Sequence, residues 1–306
     1  MIYTLTFNPS LDYEMHLNTL MTSRTNRSTH ENYRLGGKGI NVSRVLKELD
    51  VESIILGFYG GFVGKEIYRQ IHDFRMKEQL IPLEEGISRI NVKVLGNYET
   101  EINGEGPFIG GSDMQKLYEQ LSNLEEEDVL ILSGSIPKCL NEDIYETILS
   151  VQTAKKVKCV VDATGNLLLN TLKHHPFLIK PNVVECEDIV QRKLLTTQDV
   201  IRAAKELQEK GACNVLISRG KEGAILVDEN QKVYECRGLK GNCVSSVGAG
   251  DSMIAGFVAA YLKCGNTLEA FRLAMACGSA SAFSEDLAKI DKIKKCYEEV
   301  EVKCYE

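Results

Sequence analysis

Asp251 follows Gly248, Ala249 and Gly250 and precedes an apolar run in the stretch CVSSVGAGDSMIAGF. Glycines let successive backbone N–H groups converge, and a helix that starts there adds its positive end. A carboxylate beside such an anion hole can take a proton from an attacking hydroxyl while the amides hold the charge that develops. A positioned base is worth roughly 100- to 10,000-fold in rate, and one oxyanion donor about 100- to 1,000-fold. The same order of residues also suits a plain helix cap, since Asp is a favoured N-cap residue. Other parts of the chain have to separate the two readings.

Three more patches carry candidate chemistry. In RLGGKGINVSRVLKEL, glycines including Gly37 precede a helix start, and Lys38 and Asn41 project from its first turn. Asp12 lies in the turn NPSLD after the first strand. In KPNVVECE, Asn182 and Glu185 stand three apart, so on a first helical turn they face the same way. That pair can organise hydrated Mg²⁺ or serve as a capping Asn with a solvated Glu. In LISRGKEGAILV, Gly220 and Gly223 keep a strand–turn–strand open for a ligand, or form an ordinary turn. Neither standard phosphate loop is present. Gly64-Lys65 lacks the P-loop glycine because position 59 is Tyr, and Gly37-Lys38 lacks it because position 32 is Asn. GAGDSMIAG does not have the Gly-x-Gly-x-x-Gly spacing of a dinucleotide site.

Strands and helices must hold these patches. Ile2–Phe7, DVLILSG, KCVVDATG, FLIKPN and NVLISRG read as short buried strands ending in glycine or polar turns. Val42, Val45, Leu46 and Leu49 fall at helical spacing, as do Val63, Ile67, Ile71 and Phe74, and again Met114, Leu117, Leu121 and Leu124. After GAGD, the residues Met253, Ile254, Phe257, Val258, Tyr261 and Leu262 mark one helix face. Alternation of this kind predicts right-handed crossovers and a parallel sheet covered on both faces, with ligands at the carboxyl ends of its strands. One segment departs from the rhythm. SRINVKVLGNYETEIN alternates apolar and polar residues and turns at Gly96-Asn97, which predicts a hairpin. With Tyr13–Leu17 and Asn32–Leu35 it forms a small β-layer whose apolar face needs cover from the body or a second subunit.

The 306 residues, 43% hydrophobic and 26% charged, are those of an ordinary globular protein. A net charge of -7 argues against nucleic acid or an anionic membrane as partner, so an anionic substrate needs a local cluster of Lys and Arg. Ten cysteines contain no Cys-x-x-Cys pair, and the five histidines supply no zinc half-site. Most of those thiols lie in apolar stretches, which predicts a reducing cytoplasm. The N-terminal stretch lacks a signal-peptide pattern, and the longest apolar run, Met253–Leu262, is too short to cross a bilayer.

Taken in order, NPSLD, GGKGINVSRVL, GGFVGKEI, RINVKV, LSGSIP, LIKPNVVE, ISRGKEGAILV and SVGAGDS resemble the blocks of the ribokinase-like (PfkB-type) carbohydrate kinases. GGKGIN and GAGD are the most specific of these. The resemblance implies one kinase domain over residues 1–306, with a three-layer α/β/α body, a mainly parallel sheet and a small β-sheet lid. The lid strands are expected within about 12–18, 30–36 and 87–104. Asp251 then matches the catalytic base, and Gly248, Ala249 and Gly250 match the anion hole for the phosphoryl group in transfer. Asp12, Gly37, Lys38 and Asn41 match sugar-side residues, and Arg89 lies on the lid. Asn182 and Glu185 match the element linked to Mg²⁺, with Glu185 acting through water, while Ser218, Gly220 and Gly223 match the nucleotide-side loop. The implied ligands are ATP, Mg²⁺ and a sugar phosphate, and a homodimer through the lid is expected. Arg24, Arg27, Lys38 and Arg89 are the cations available for the acceptor's own phosphate, with Arg27 taken as a substrate contact. SRINVKV and ETEINGEGP are especially similar to the 1-phosphofructokinase branch. A tagatose-6-phosphate kinase and a catalytically silent sugar-phosphate sensor are the alternatives. The ending after about residue 283 looks unlike that of the family.

Overall fold

The computed structural model describes residues 1–305. From the N-terminus, β1 (Ile2–Thr6) leads into β2 (Ser10–His16) and β3 (His30–Gly36). Then come α1 (Lys38–Glu48), β4 (Ser53–Gly60), α2 (Gly61–Asp73) and β5 (Lys77–Leu83). The hairpin β6 (Arg89–Leu95) and β7 (Glu99–Asn103) precedes α3 (Gly111–Ser122), β8 (Val129–Ser133), α4 (Ile144–Ala154) and β9 (Lys158–Asp162). Next are α5 (Gly165–Leu169), β10 (Leu178–Ile179), α6 (Val183–Val190), α7 (Thr197–Glu209) and β11 (Asn214–Ser218). The chain continues through β12 (Ala224–Val227), β13 (Val233–Cys236), α8 (Ala249–Cys264), α9 (Thr267–Ala282), α10 (Ile290–Glu299) and β14 (Val302–Tyr305).

Ten strands form one sheet in the order β14-β13-β12-β11-β10-β9-β8-β1-β4-β5. Pairing is parallel from β11 to β5 and antiparallel through β12, β13 and β14. Strand side chains alternate between faces, so a run such as VLILS must be apolar throughout to be covered on both. Leu130 and Leu132 enter a core with α3, α4, α5 and α7, while Val129 and Ile131 enter one with α1, α8, α9 and α10. This is the expected ribokinase-like three-layer body. The expected one-sided face of α8 is a correction: every residue from Asp251 to Ala260 is buried, and Leu262, assigned to the apolar face, is 43% exposed. The helix lies under both α1 and α9, so no side of its first half meets water.

The second sheet has the order β3-β2-β6-β7. Asp12, expected in a turn, lies on strand β2. Because side chains alternate, Asp12, Arg89, Asn91 and Lys93 share the face toward the body, and Tyr13, Tyr33, Val92 and Ile102 line up across the other. Tyr33 is 50% exposed and Ile102 61%. The divergent ending folds as α10 against the α8–α9 layer and as β14 on the sheet edge. Among the described residues no helix is long and apolar enough to cross a membrane. Of the ten free cysteines, five are buried: Cys159, Cys186, Cys236, Cys277 and Cys296.

Candidate active site

A cavity of about 710 Å³ lies between the lid and the carboxyl ends of the central strands. That volume suits a small-molecule site. Its wall includes Asp12, Gly37, Lys38, Asn41 and Arg89 on one side and Asn182, Glu185, Ser218, Gly220 and Gly223 on the other. Gly248, Ala249, Gly250 and Asp251 also line it. Of the residues expected at a site, Arg27 alone stands outside this wall: it is exposed in the loop between β2 and β3, as is Arg24.

Helix α8 begins at Ala249 with Gly248 as N-cap at φ 74°, a left-handed conformation that favours glycine. A Cβ on Gly248 would lie 2.4 Å from Leu287 Cδ2, and one on Gly250 would lie 2.9 Å from Lys180 Nζ. At Gly248 the left-handed φ and the contact with Leu287 together favour glycine, while at Gly250 a Cβ would push the Lys180 ammonium aside. The first turn keeps N–H groups without intrahelical acceptors, and its axis adds positive potential. Asp251 makes no side-chain cap bond to this turn. Instead, Asn41 Nδ2 donates to Asp251 Oδ2 at 2.8 Å, and both residues are buried. The plain-cap reading of Asp251 thus fails on geometry.

Two residues not singled out in the sequence complete the charge pattern. Asp162 ends β9 and Lys180 follows β10, each at the polar end of an apolar strand. Lys38 Nζ donates to Asp162 Oδ2 at 3.0 Å, and Lys180 Nζ lies 3.3 Å from Asp162 Oδ1. Burial works against the Asp162 charge, but Lys180 and Lys38 hold its carboxyl below the ordinary value. Burial would lower Lys38, yet Asp162 and Asp251 reverse this and hold it above the ordinary lysine value. For Asp251 the balance tips the other way. Burial pushes its carboxyl up to about 6 and Asp162 adds to the push, while Lys38, the Asn41 amide and Lys180 oppose it. Near pH 7 such a carboxylate is mostly ionised yet basic enough to accept a proton. The signal in the sequence was the position of DATG and KPN at strand ends, where ligands of such sheets bind.

On the lid, Asp12 Oδ1 accepts from Ser10 Oγ at 2.7 Å and from Asn91 Nδ2 at 2.8 Å. Arg89 Nε donates to the Asn8 carbonyl at 3.1 Å. On the opposite wall Asn182 and Glu185 form a reciprocal capping box: each side chain accepts the other's backbone N–H at 2.9 Å. Glu185 uses Oε2 for this and keeps Oε1 free. No three His, Cys, Asp or Glu side chains converge as direct metal ligands among the described residues. This donor set fits Mg²⁺ held through water and phosphate oxygens rather than by a protein cage. Beyond the loop of Gly220 and Gly223, Met275, Ala282 and Phe283 give the cavity an apolar wall suited to a flat base. Arg219, inside that loop, turns away to pair with Glu235 at 2.9 Å.

Residues 6–292 match the pfkB family carbohydrate kinase profile. A 1-phosphofructokinase of Bacillus subtilis (strain 168) is 40% identical over 302 residues, covering 99% of both chains. A D-tagatose-1-phosphate kinase of Bacillus licheniformis is 35% identical, again over 99% of each chain. A tagatose-6-phosphate kinase of Staphylococcus epidermidis (strain ATCC 12228 / FDA PCI 1200) is 31% identical over 99% of each. Among solved structures, phosphofructokinase-2 from Escherichia coli in complex with substrates and products superposes with a TM-score of 0.92 at 27% identity, covering 97% of this chain and 98% of that one.

Proposed function

The chain belongs to the pfkB family of carbohydrate kinases, and on that premise we propose that it transfers the γ-phosphoryl group of ATP to the 6-hydroxyl of fructose 1-phosphate. The products are fructose 1,6-bisphosphate and ADP. The enzyme is a phosphotransferase with an alcohol acceptor. One observation carries the chemistry: a buried carboxylate, Asp251, held by Asn41 in the first turn of a glycine-started helix, faces a cavity that also holds Lys38 and Lys180.

The reaction follows from that arrangement. Asn41 fixes Asp251 Oδ2, which leaves Oδ1 to accept the proton of the acceptor hydroxyl. The deprotonated oxygen attacks the γ-phosphorus, the bond to the β-phosphate oxygen breaks, and ADP carries away that electron pair. Lys38, Lys180 and the first-turn amides of α8 hold the charge on the phosphoryl oxygens, and positioning of this kind is most of phosphoryl-transfer catalysis. Glu185 would hold Mg²⁺ through water, and the ion when bound would supply charge neutralisation for the phosphates. Asp12 and Asn91 hold the sugar, with the lid excluding water. Arg89 supplies the cation for the acceptor's phosphate. Arg27, exposed in the loop between β2 and β3, does not line this cavity.

Fructose 1-phosphate is preferred because the 1-phosphofructokinase relative stands at 40% identity and the tagatose-phosphate kinases at 35% and 31%. A tagatose phosphate is the second reading. A silent sensor has no use for the Asn41–Asp251 contact. A lid-to-lid homodimer would cover Tyr13, Tyr33, Val92 and Ile102, and ten unpaired thiols suit a reducing cytoplasm. The test is an ADP-release assay with fructose 1-phosphate, fructose 6-phosphate, tagatose 1-phosphate, tagatose 6-phosphate and free sugars. Fructose 1-phosphate should give the highest kcat/KM, and preference for a free sugar refutes the sugar-phosphate assignment.

A further inference from the structure

Lys93 is not needed by the chemistry above, yet its position calls for a partner. It sits on β6, on the lid face toward the body, and is only 6% exposed. Its ammonium lies 3.6 Å from Asp12 Oδ2 and 3.7 Å from Glu101 Oε1, beyond hydrogen-bond reach of either. No other acceptor among the described residues takes one of its protons. The two carboxylates hold the ammonium by charge, but neither takes a proton in a close hydrogen bond, so its donors stay available to a ligand in the cavity. The side chain lines the main cavity and also a narrow polar cleft beside it, so the open direction for Nζ is toward the acceptor site.

The neighbours decide which part of the acceptor it meets. Two carboxylates already flank this ammonium, which makes the spot unwelcoming to a phosphate dianion. A sugar hydroxyl suits it better: Asp12 accepts the hydroxyl proton, and Lys93 donates to the same oxygen or to its neighbour. We propose that Lys93 is a further acceptor-binding residue, and that it donates to hydroxyl groups of the sugar rather than to its phosphate. This inference rests on the sugar-phosphate kinase reading and names the group recognised under the lid.

The experiment measures initial rates at saturating ATP for wild type, Lys93→Met and Lys93→Arg. The acceptors are fructose 1-phosphate and its 3-deoxy and 4-deoxy analogues. A charge-assisted hydrogen bond predicts that Lys93→Met raises the acceptor KM roughly 10- to 100-fold. The KM for ATP should stay within about twofold, and Lys93→Arg, which keeps donors, should recover part of the loss. One deoxy analogue should be poor with wild type but no worse than fructose 1-phosphate with Lys93→Met, because the lost partners are the same pair. Losses that multiply for both analogues overturn the proposal, as does an equal rise in the KM for ATP. Should Lys93→Met fail to fold, Lys93→Leu, which also lacks a donor, takes its place with the same expected pattern. Failure of wild type to phosphorylate any sugar phosphate overturns the parent reading and this one together, whereas independent losses overturn this one alone.

Discussion

Asp251→Asn should abolish turnover and, at the same time, make the protein more stable. The carboxyl sits at about 6 where an ordinary one sits at 3.8. Each pH unit of such a gap is worth about 1.4 kcal/mol, so the ionised side chain disfavours the folded state by about 3 kcal/mol above pH 6. The sign follows from linkage. Below pH 3.8 the group is protonated folded or unfolded and makes no difference. Between 3.8 and about 6 the unfolded chain ionises first, so the penalty grows, and above 6 it is constant. An asparagine carries no such charge and can still present its side-chain oxygen to Asn41. Unfolding entropy for a chain of this size is about 0.6 kcal/mol per kelvin, so the gain corresponds to roughly 5 °C in Tm. Differential scanning calorimetry of both proteins from pH 5 to 8 reads it directly. The variant should melt higher at pH 8, with the gap narrowing as pH falls, while kcat drops at least about 1,000-fold. In wild type, kcat/KM should fall about tenfold per pH unit below 6. A variant that keeps a tenth of wild-type activity refutes the base assignment, and one that melts lower at pH 8 refutes the argument from burial.

Lys180→Met leaves Asp162 with Lys38 alone, and breaking a buried pair of this kind costs about 3–5 kcal/mol. Calorimetry should show that loss, and steady-state kinetics a fall of about 100-fold in kcat/KM for ATP. Gly248→Ala forces a side chain into a left-handed φ and against Leu287; chemical denaturation should show a loss of about 1–3 kcal/mol, and activity should fall at least tenfold. Glu185→Gln keeps a residue able to complete the capping box, so stability should change by less than about 0.5 kcal/mol. The Mg²⁺ needed for half-maximal rate should nevertheless rise severalfold. Ile102→Glu places a charge on the uncovered lid face, and sedimentation equilibrium should show a shift from dimer to monomer.

The body was readable because its strands are buried on both faces: runs such as VLIL and CVV have no polar positions to confuse with a surface strand. The lid was readable for the opposite reason, as alternation in RINVKV separates one polar face from one apolar face. Edge elements were not. In β5, KEQLIPL carries charges and Pro82, and β14 contributes only four residues of mixed character. Such strands owe their form to a neighbour's hydrogen bonds, which leave no period in the sequence. At the site, glycine spacing located the start of α8 beside the cavity. Asp162, Lys180 and Lys93 were passed over because a single charged residue at a strand end or on a polar face has no local pattern, and only the pairing of distant strands brings them to one cavity. Asn182 and Glu185 were read for their shared face, and the structure gives them a reciprocal cap as well as a free carboxylate oxygen.

The first strand of the chain lies inside the large sheet, third from the β5 edge, bonded to β4 on one side and to β8 on the other. During synthesis it emerges before β8 and gains its second neighbour only after residue 129 has left the ribosome. Until then a strand destined for burial keeps one row of amides and carbonyls unpaired, a template for pairing with the wrong chain. Productive folding is therefore expected to need this segment shielded until β8 has been made, and slowed elongation before β8 should lower the yield of native protein even with the sequence unchanged.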